Sequence, residues 1–172
     1  MMTYDEWDAT EYMRDLCSRN RFAQDNEFHF CLGSGWEGLT DVVSNMRSKK
    51  AFVVMDETAD ADISKVGGGY FETKAFTVFV LRRYKKLDEE DRLQQLNVCR
   101  QLMRKFLSKM ILDAEELKSA LIYLDTDVQF REIGQIVLNG LTGLYFTFSF
   151  YRPQDLQMIE DDWVEPYKTY GV

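Results

Sequence analysis

One segment, Asp88 to Ile111, limits the folds open to this chain more than any other. Leu96, Cys99, Met103, Phe106 and Met110 recur at spacings of three and four, and Leu93, Leu107 and Ile111 widen the same stripe, the pattern of an amphipathic α-helix. The charges agree with it. Asp88, Glu89, Glu90 and Asp91 crowd the first turn while Arg100, Arg104, Lys105 and Lys109 fill the second half, so both ends complement the helix dipole. At about 1.5 Å per residue such a helix is roughly 36 Å long, enough to cross a whole sheet face. Its polar side carries Gln, Asn, Arg and Lys, a pattern that suggests no chemistry.

Strand-like segments lie on either side of it. Ala51 to Asp56 is a compact β-rich run, and Tyr70 to Tyr84 begins with alternating polar residues before becoming apolar on both faces from Phe76 to Leu81. Asp113 to Lys118 reads as a turn, and Ala120 to Leu124 opens a third strand that continues through Val128 and Phe130. Leu144, Phe146, Phe148 and Phe150 alternate with Tyr145, Thr147, Ser149 and Tyr151, the signature of one buried and one wet face, and Pro153 ends that strand. Phe28 to Leu32 is a short strand or an extended connection. Two short helices precede the strands, one over 8–21 with a narrow inward stripe that places it outside the core, the other over 39–47. Gly67, Gly68 and Gly69 carry a large backbone entropy, so the connection over 57–69 is expected to be mobile until a partner orders it. The expected fold class is therefore α+β: a mainly antiparallel sheet of about four strands, with the long helix (88–111) on one face. Residues 1–153 form one domain, and 154–172 form an acidic, aromatic arm with Trp163, Tyr167 and Tyr170.

Composition excludes several functions. With 45% hydrophobic residues the chain buries a real core, and a net charge of −8 repels a phosphate backbone, so nucleic acid is not expected as a partner. The densest basic cluster, Arg82, Arg83, Lys85 and Lys86, is followed at once by Asp88 to Asp91. Cys17, Cys31 and Cys99 have neither disulfide nor zinc spacing. Met1 to Asp5 lacks the pattern of a secretory signal and no run is long enough to span a bilayer, so the expected location is a cytoplasm.

Gly33-Ser34-Gly35-Trp36-Glu37-Gly38 is the sharpest motif. It matches GxGxxG after a candidate strand, and Asp56 closes the next strand, the layout in which backbone N–H groups cradle a dinucleotide pyrophosphate and an acid holds the ribose. Glu37 would set a negative charge in that cradle, and no crossover helix separates Asp56 from the strand at 70–84. A plain glycine turn is the favoured reading, with Gly33, Gly35, Gly38 and Asp56 as the cofactor-binding alternative. Asp56, Glu57, Asp60 and Asp62 fail the calcium-loop spacing and read as a solvated acidic loop. His29, the only histidine, has no paired Cys or Ser motif and reads as a packing or surface residue. No catalytic residue, metal or cofactor is assigned.

In arrangement, residues 51–153, about 60% of the chain, resemble the tail-terminator and tail-completion proteins of tailed bacteriophages and related prophages. The resemblance is carried by Ala51 to Asp56, the Gly67–Gly69 connection, Lys74-Ala75-Phe76-Thr77-Val78-Phe79-Val80-Leu81, the helix from Asp88 to Ile111, and Asn139-Gly140-Leu141-Thr142-Gly143-Leu144-Tyr145-Phe146. It implies a small, non-enzymatic assembly protein made in the host cytoplasm and carried into the virion. Its subunits would join side by side as a ring that caps the tail tube and meets the neck. The 57–69 connection and the aromatic arm are the expected surfaces for ordering on a neighbour.

Overall fold

The fold is that of a computed structural model, which describes residues 7–134 and 140–164 and, at Trp36, the backbone only. It is α+β: seven strands in one mixed sheet, with helices on both faces. The helices are α1 (Ala9–Arg19), α2 (Arg21–Asp25), α3 (Gly35–Asn45) and α4 (Glu89–Leu117). The strands are β1 (Phe28–Gly33), β2 (Ala51–Asp56), β3 (Asp60–Val66), β4 (Gly69–Arg83), β5 (Tyr123–Leu124), β6 (Gln129–Ile133) and β7 (Leu141–Gln154).

Four strands were expected and seven are present, because the expected third strand is broken into β5 and β6, the connection over 57–69 contributes β3, and β1 adds a row. β2 and β3 both run antiparallel along the same side of β4, broken only at Glu57 to Ala59. β5 and β6 share one side of β7 in the same way, broken at Asp125 to Val128. Only β4 and β7 run the full length, paired from Tyr70 opposite Gln154 to Arg83 opposite Leu141. β1 pairs with β2 in parallel through the crossover helix α3, so the sheet is mixed rather than purely antiparallel.

The expected mobile connection is an ordered hairpin. Val66 pairs with Gly69 across a two-residue turn of Gly67 and Gly68, and Gly67 takes a φ of +63°, which glycine adopts at no steric cost. All of β3 is exposed, so its sequence carries no burial alternation by which to recognise a strand.

α4 starts where its charges place it, with the Asp88 carboxylate accepting from the Asp91 N–H at 2.9 Å. It then continues six residues past Ile111, through the segment read as a turn, because Ala114 and Leu117 join the core and Asp113 is held by Tyr12 and Lys109. With that extension the last turn carries no basic residue, so only the N-terminal half of the dipole argument stands. The buried stripe is Leu96, Cys99, Leu102, Met103, Phe106 and Met110, whereas Leu93 and Ile111 face outward.

Two apolar clusters sandwich the sheet. On one face α1, α2 and α4 cover Ala51, Val53, Met55, Val78, Val80, Leu144, Phe146 and Phe148. Met13 is completely buried there, so α1 belongs to the core instead of lying outside it. On the other face α3 covers Phe52, Val54, Phe79 and Leu81. It reaches only the half of the sheet next to β1, and the side chains of Phe71, Tyr151 and Tyr123 lie as a ladder across the uncovered half, Tyr151 stacked on Tyr123 at 4.7 Å.

Candidate functional site

The glycine turn folds locally as a dinucleotide unit would: strand, turn, helix, parallel strand, then an acid at its end. What the turn holds is part of its own chain. The Asp56 carboxylate accepts from the Gly35 N–H at 3.2 Å, from the Thr58 N–H at 3.0 Å and from the Thr58 hydroxyl at 2.7 Å. Asp56 therefore supplies the N-terminal cap of α3 that Ser34 does not, and Glu37 adds a second carboxylate to the first turn. The glycines serve packing. A Cβ on Gly38 would stand 3.3 Å from the Gly33 carbonyl carbon and one on Gly33 3.2 Å from Val54 Cγ1, so both let α3 approach the sheet, while Gly35 opens the helix at a φ of +62°.

Partial burial pushes the Asp56 carboxyl up, but the Thr58 hydroxyl and the Thr58 and Gly35 N–H groups outweigh it and hold the group below its ordinary 3.8. A depressed folded-state value means that the stabilisation is complete above the unfolded value and is lost as pH falls through the folded one. Asp56→Ala is thus expected to lower stability by about 1 kcal/mol at neutral pH. The difference from the parent should narrow as pH falls below the ordinary carboxylate range and through the depressed folded-state value. Urea unfolding of both proteins at neutral and acid pH checks it; a gap that persists in acid assigns the loss to packing.

The other candidate residues do not converge on this turn. Asp60 and Asp62 lie on β3, on the face that α3 leaves uncovered, and Glu57 is exposed. Among the described residues no group of three or more His, Cys, Asp or Glu is placed to hold a metal ion. His29 sits on β1 opposite Phe52. Arg82 and Arg83, half of the basic cluster, are tied internally: Arg82 donates to the Asn26 side chain at 3.0 Å, and Arg83 donates to the carbonyls of Lys49 at 2.8 Å and Val43 at 3.0 Å. The three cysteines are buried and free, and burial pushes the Cys17 and Cys99 thiols up to about 12, which leaves them protonated near neutrality.

Sequence reasoning missed one buried polar cluster, between α1 and α4. Tyr12 donates to Asp113 at 2.9 Å, Lys109 pairs with the same carboxylate, and a cavity of about 220 Å³ opens beside them, lined also by Asp15, Arg19 and Lys105. Burial, then the Asp113 hydrogen bond and charge, raise the Tyr12 hydroxyl well above its ordinary value, so it stays a donor. The charges close within each helix, Arg19 with Asp15 on α1 and Lys109 with Asp113 on α4, and the Tyr12–Asp113 hydrogen bond is the link that clamps the two helices together. The signal available was the pairing of Lys109 and Asp113 at i, i+4, which also argues that the helix continues there.

The exposed apolar surface lies elsewhere. Ile63 and Val66 on β3, Phe130 on β6, and Leu156, Met158, Ile159, Trp163 and Val164 after β7 are all exposed, as are Leu87 just before α4 and Leu93, Ile111 and Leu112 on it. Gly67, Gly68 and Gly69 form the turn and first residue of the hairpin that carries Val66, and Trp163 belongs to the described part of the arm. Tyr167 and Tyr170 lie outside the described residues. Among the described residues no helix is long and apolar enough to cross a membrane. No protein-family model matches the chain, and no curated protein matches it.

Proposed function

We propose that this chain is a non-catalytic structural subunit that joins copies of itself side by side, as a tail-terminator or tail-completion ring of a phage or prophage. It assembles in the host cytoplasm, and its outer partners are the tail tube and the neck. One observation carries the reading: Ile63 and Val66 on the edge strand β3, Phe130 on the edge strand β6, and Leu156, Met158, Ile159, Trp163 and Val164 after β7 expose large apolar side chains. Large apolar groups gathered at sheet edges favour association over isolation. The segments on which the resemblance rests also lie together, β2, β4 and β7 side by side with α4 across them.

Light scattering on the purified full chain over a range of concentrations, with negative-stain microscopy, tests it. Growth into closed particles of defined mass is the expected result, and a chain that stays monomeric throughout contradicts the proposal. Genes for portal, tube and tape-measure proteins beside this one would give independent support.

The parallel β1–α3–β2 unit favours a second reading, dinucleotide binding at Gly33, Gly35 and Gly38. Against it, Asp56 already takes the Gly35 N–H that a pyrophosphate would use. No thermal stabilisation by a dinucleotide is expected; a saturable rise in Tm would restore this reading.

A further inference from the structure

The two edge strands β3 and β6 are complementary in direction, and each carries an exposed apolar residue beside an exposed charge. β3 is antiparallel to β4, β4 to β7, and β7 to β6, so β3 and β6 run in opposite senses at opposite sides of one sheet. Among the described residues each pairs on one side only. Ile63 is level with Glu72 of β4 and Phe130, across β7, with Val78, so a second copy displaced sideways in the sheet plane and by about six residues along the strands brings its β6 antiparallel to β3 of the first, the arrangement that extends a sheet with straight hydrogen bonds.

Shape allows it. β1 covers the outer side of β2 but stops at Gly33, opposite Asp56, leaving a notch beside the seven residues of β3. β6 has five residues and, in the register set out below, lies opposite Asp60 to Ser64 of that strand.

The side chains select one register. Residues directly opposite in a sheet share a face. Ile63 of β3 and Phe130 of β6 both lie on the face that carries α4, and each is 51% exposed. Asp62 and Arg131 both lie on the opposite face and are exposed. Setting Ile63 opposite Phe130 sets Asp62 opposite Arg131 with no further adjustment. Lys65 then falls opposite Val128, past the first residue of β6. Glu132, the other charge on β6, is held by Arg100 of its own chain at 2.6 and 2.8 Å. Charges on an edge strand are also how a sheet is kept from pairing, so the weight lies on the match between two edges and not on either alone.

We infer that β3 of one copy pairs antiparallel with β6 of the next, Ile63 opposite Phe130 and Asp62 opposite Arg131. The contact is head-to-tail, so repetition gives a ring where the rotation closes and a filament where it does not. This deepens the ring proposal and rests on it.

Opposite residues in an antiparallel pair stand about 4.5–5.5 Å apart at Cα, within the span that a disulfide bridges. Full chains carrying Ile63→Cys and Phe130→Cys should therefore cross-link to a dimer when mixed and mildly oxidised, with far less product from either alone. The chain carrying both substitutions should give a covalent ladder. The native cysteines are buried, so they contribute no background.

Charge reversal supplies a second readout that needs no disulfide. Asp62→Arg and Arg131→Asp should each raise the concentration needed for assembly by about tenfold, and the two together in one chain should restore it. Ile63→Cys dimers formed as readily alone as in the mixture would point to β3 against β3 and overturn the pairing. Assembly by light scattering without the 63–130 cross-link, or without rescue by the double reversal, would overturn the pairing and leave the ring proposal standing. A chain that neither assembles nor cross-links at any concentration reached overturns both.

Discussion

Gly143→Ala is expected to abolish cooperative folding. Gly143 lies in β7 opposite Leu81 of β4 and Ile133 of β6, and a Cβ there would stand 2.0 Å from the Val80 carbonyl oxygen and 2.9 Å from Leu81 Cα. Both contacts are to backbone, so no side chain can turn aside. β4 cannot retreat either, because β2 holds Val80 and Leu81 from its other side through Val53 and Phe52. The loss should exceed about 4 kcal/mol, the range reserved for changes that a core cannot absorb. Gly140→Ala is the control: its φ of +77° favours glycine but nothing lies within 4 Å of the new methyl, so about 1 kcal/mol is expected. Urea unfolding followed by circular dichroism separates the two, and a soluble, cooperatively unfolding Gly143→Ala protein would contradict the tight β4–β7 contact.

Phe106→Ala should destabilise by about 3–5 kcal/mol, since the ring is 1% exposed in the cluster between α4 and the sheet and its loss leaves a cavity. Ile111→Ala, five residues along the same helix, should change stability by less than about 0.5 kcal/mol, because its side chain is 54% exposed and alanine is the better helix former. Equal losses at the two positions would mean that α4 is turned about its axis relative to the arrangement described.

Those two residues also mark what could be read from the chain itself. Both fit a stripe of spacing three and four, yet Phe106 points inward and Ile111 outward. A periodicity of 3.6 fixes a stripe's centre better than its margins. The start of α4 was legible because Asp88 to Asp91 act locally, through a cap and a dipole. Its end had only the weak local signal of Lys109 and Asp113 at i, i+4, because what carries the helix through Asp113 is mainly tertiary: Tyr12 from α1, and Ala114 and Leu117 joining the core. The alternation from Leu144 to Phe150 and the run from Ala51 to Asp56 gave their strands directly. β3 was hidden: every residue of it is exposed, so nothing alternates, and its one local clue was a glycine pair of hairpin length that also fits a mobile loop. The parallel pairing of β1 was out of reach because it depends on where α3 returns the chain. At the glycine turn, strand, turn, helix and acid were all readable in order. That Asp56 bends back onto Gly35 was not, since a cap and a ribose ligand ask for the same residue in the same place. The surfaces fared similarly: Trp163 is exposed as a docking residue must be, but the match between β3 and β6 emerges only once both are seen as opposite sides of one sheet.

The two interruptions in the outer rows have a mechanical effect. The break after Asp56 lies beside Phe76 and Thr77 of β4, and the break after Leu124 lies beside Phe148 and Ser149 of β7, so both fall on nearly one line drawn across the sheet. Along that crease only two backbones are continuous, bridged by the stacked rings of Phe76 and Phe148 at 5.9 Å and by the facing hydroxyls of Thr77 and Thr147. Beyond the crease Leu124 and Phe150 are still packed in the cluster under α4, so the outermost hairpin, β3 with its Gly67–Gly68 tip, is the part of the sheet held by strand pairing without a buried residue of its own.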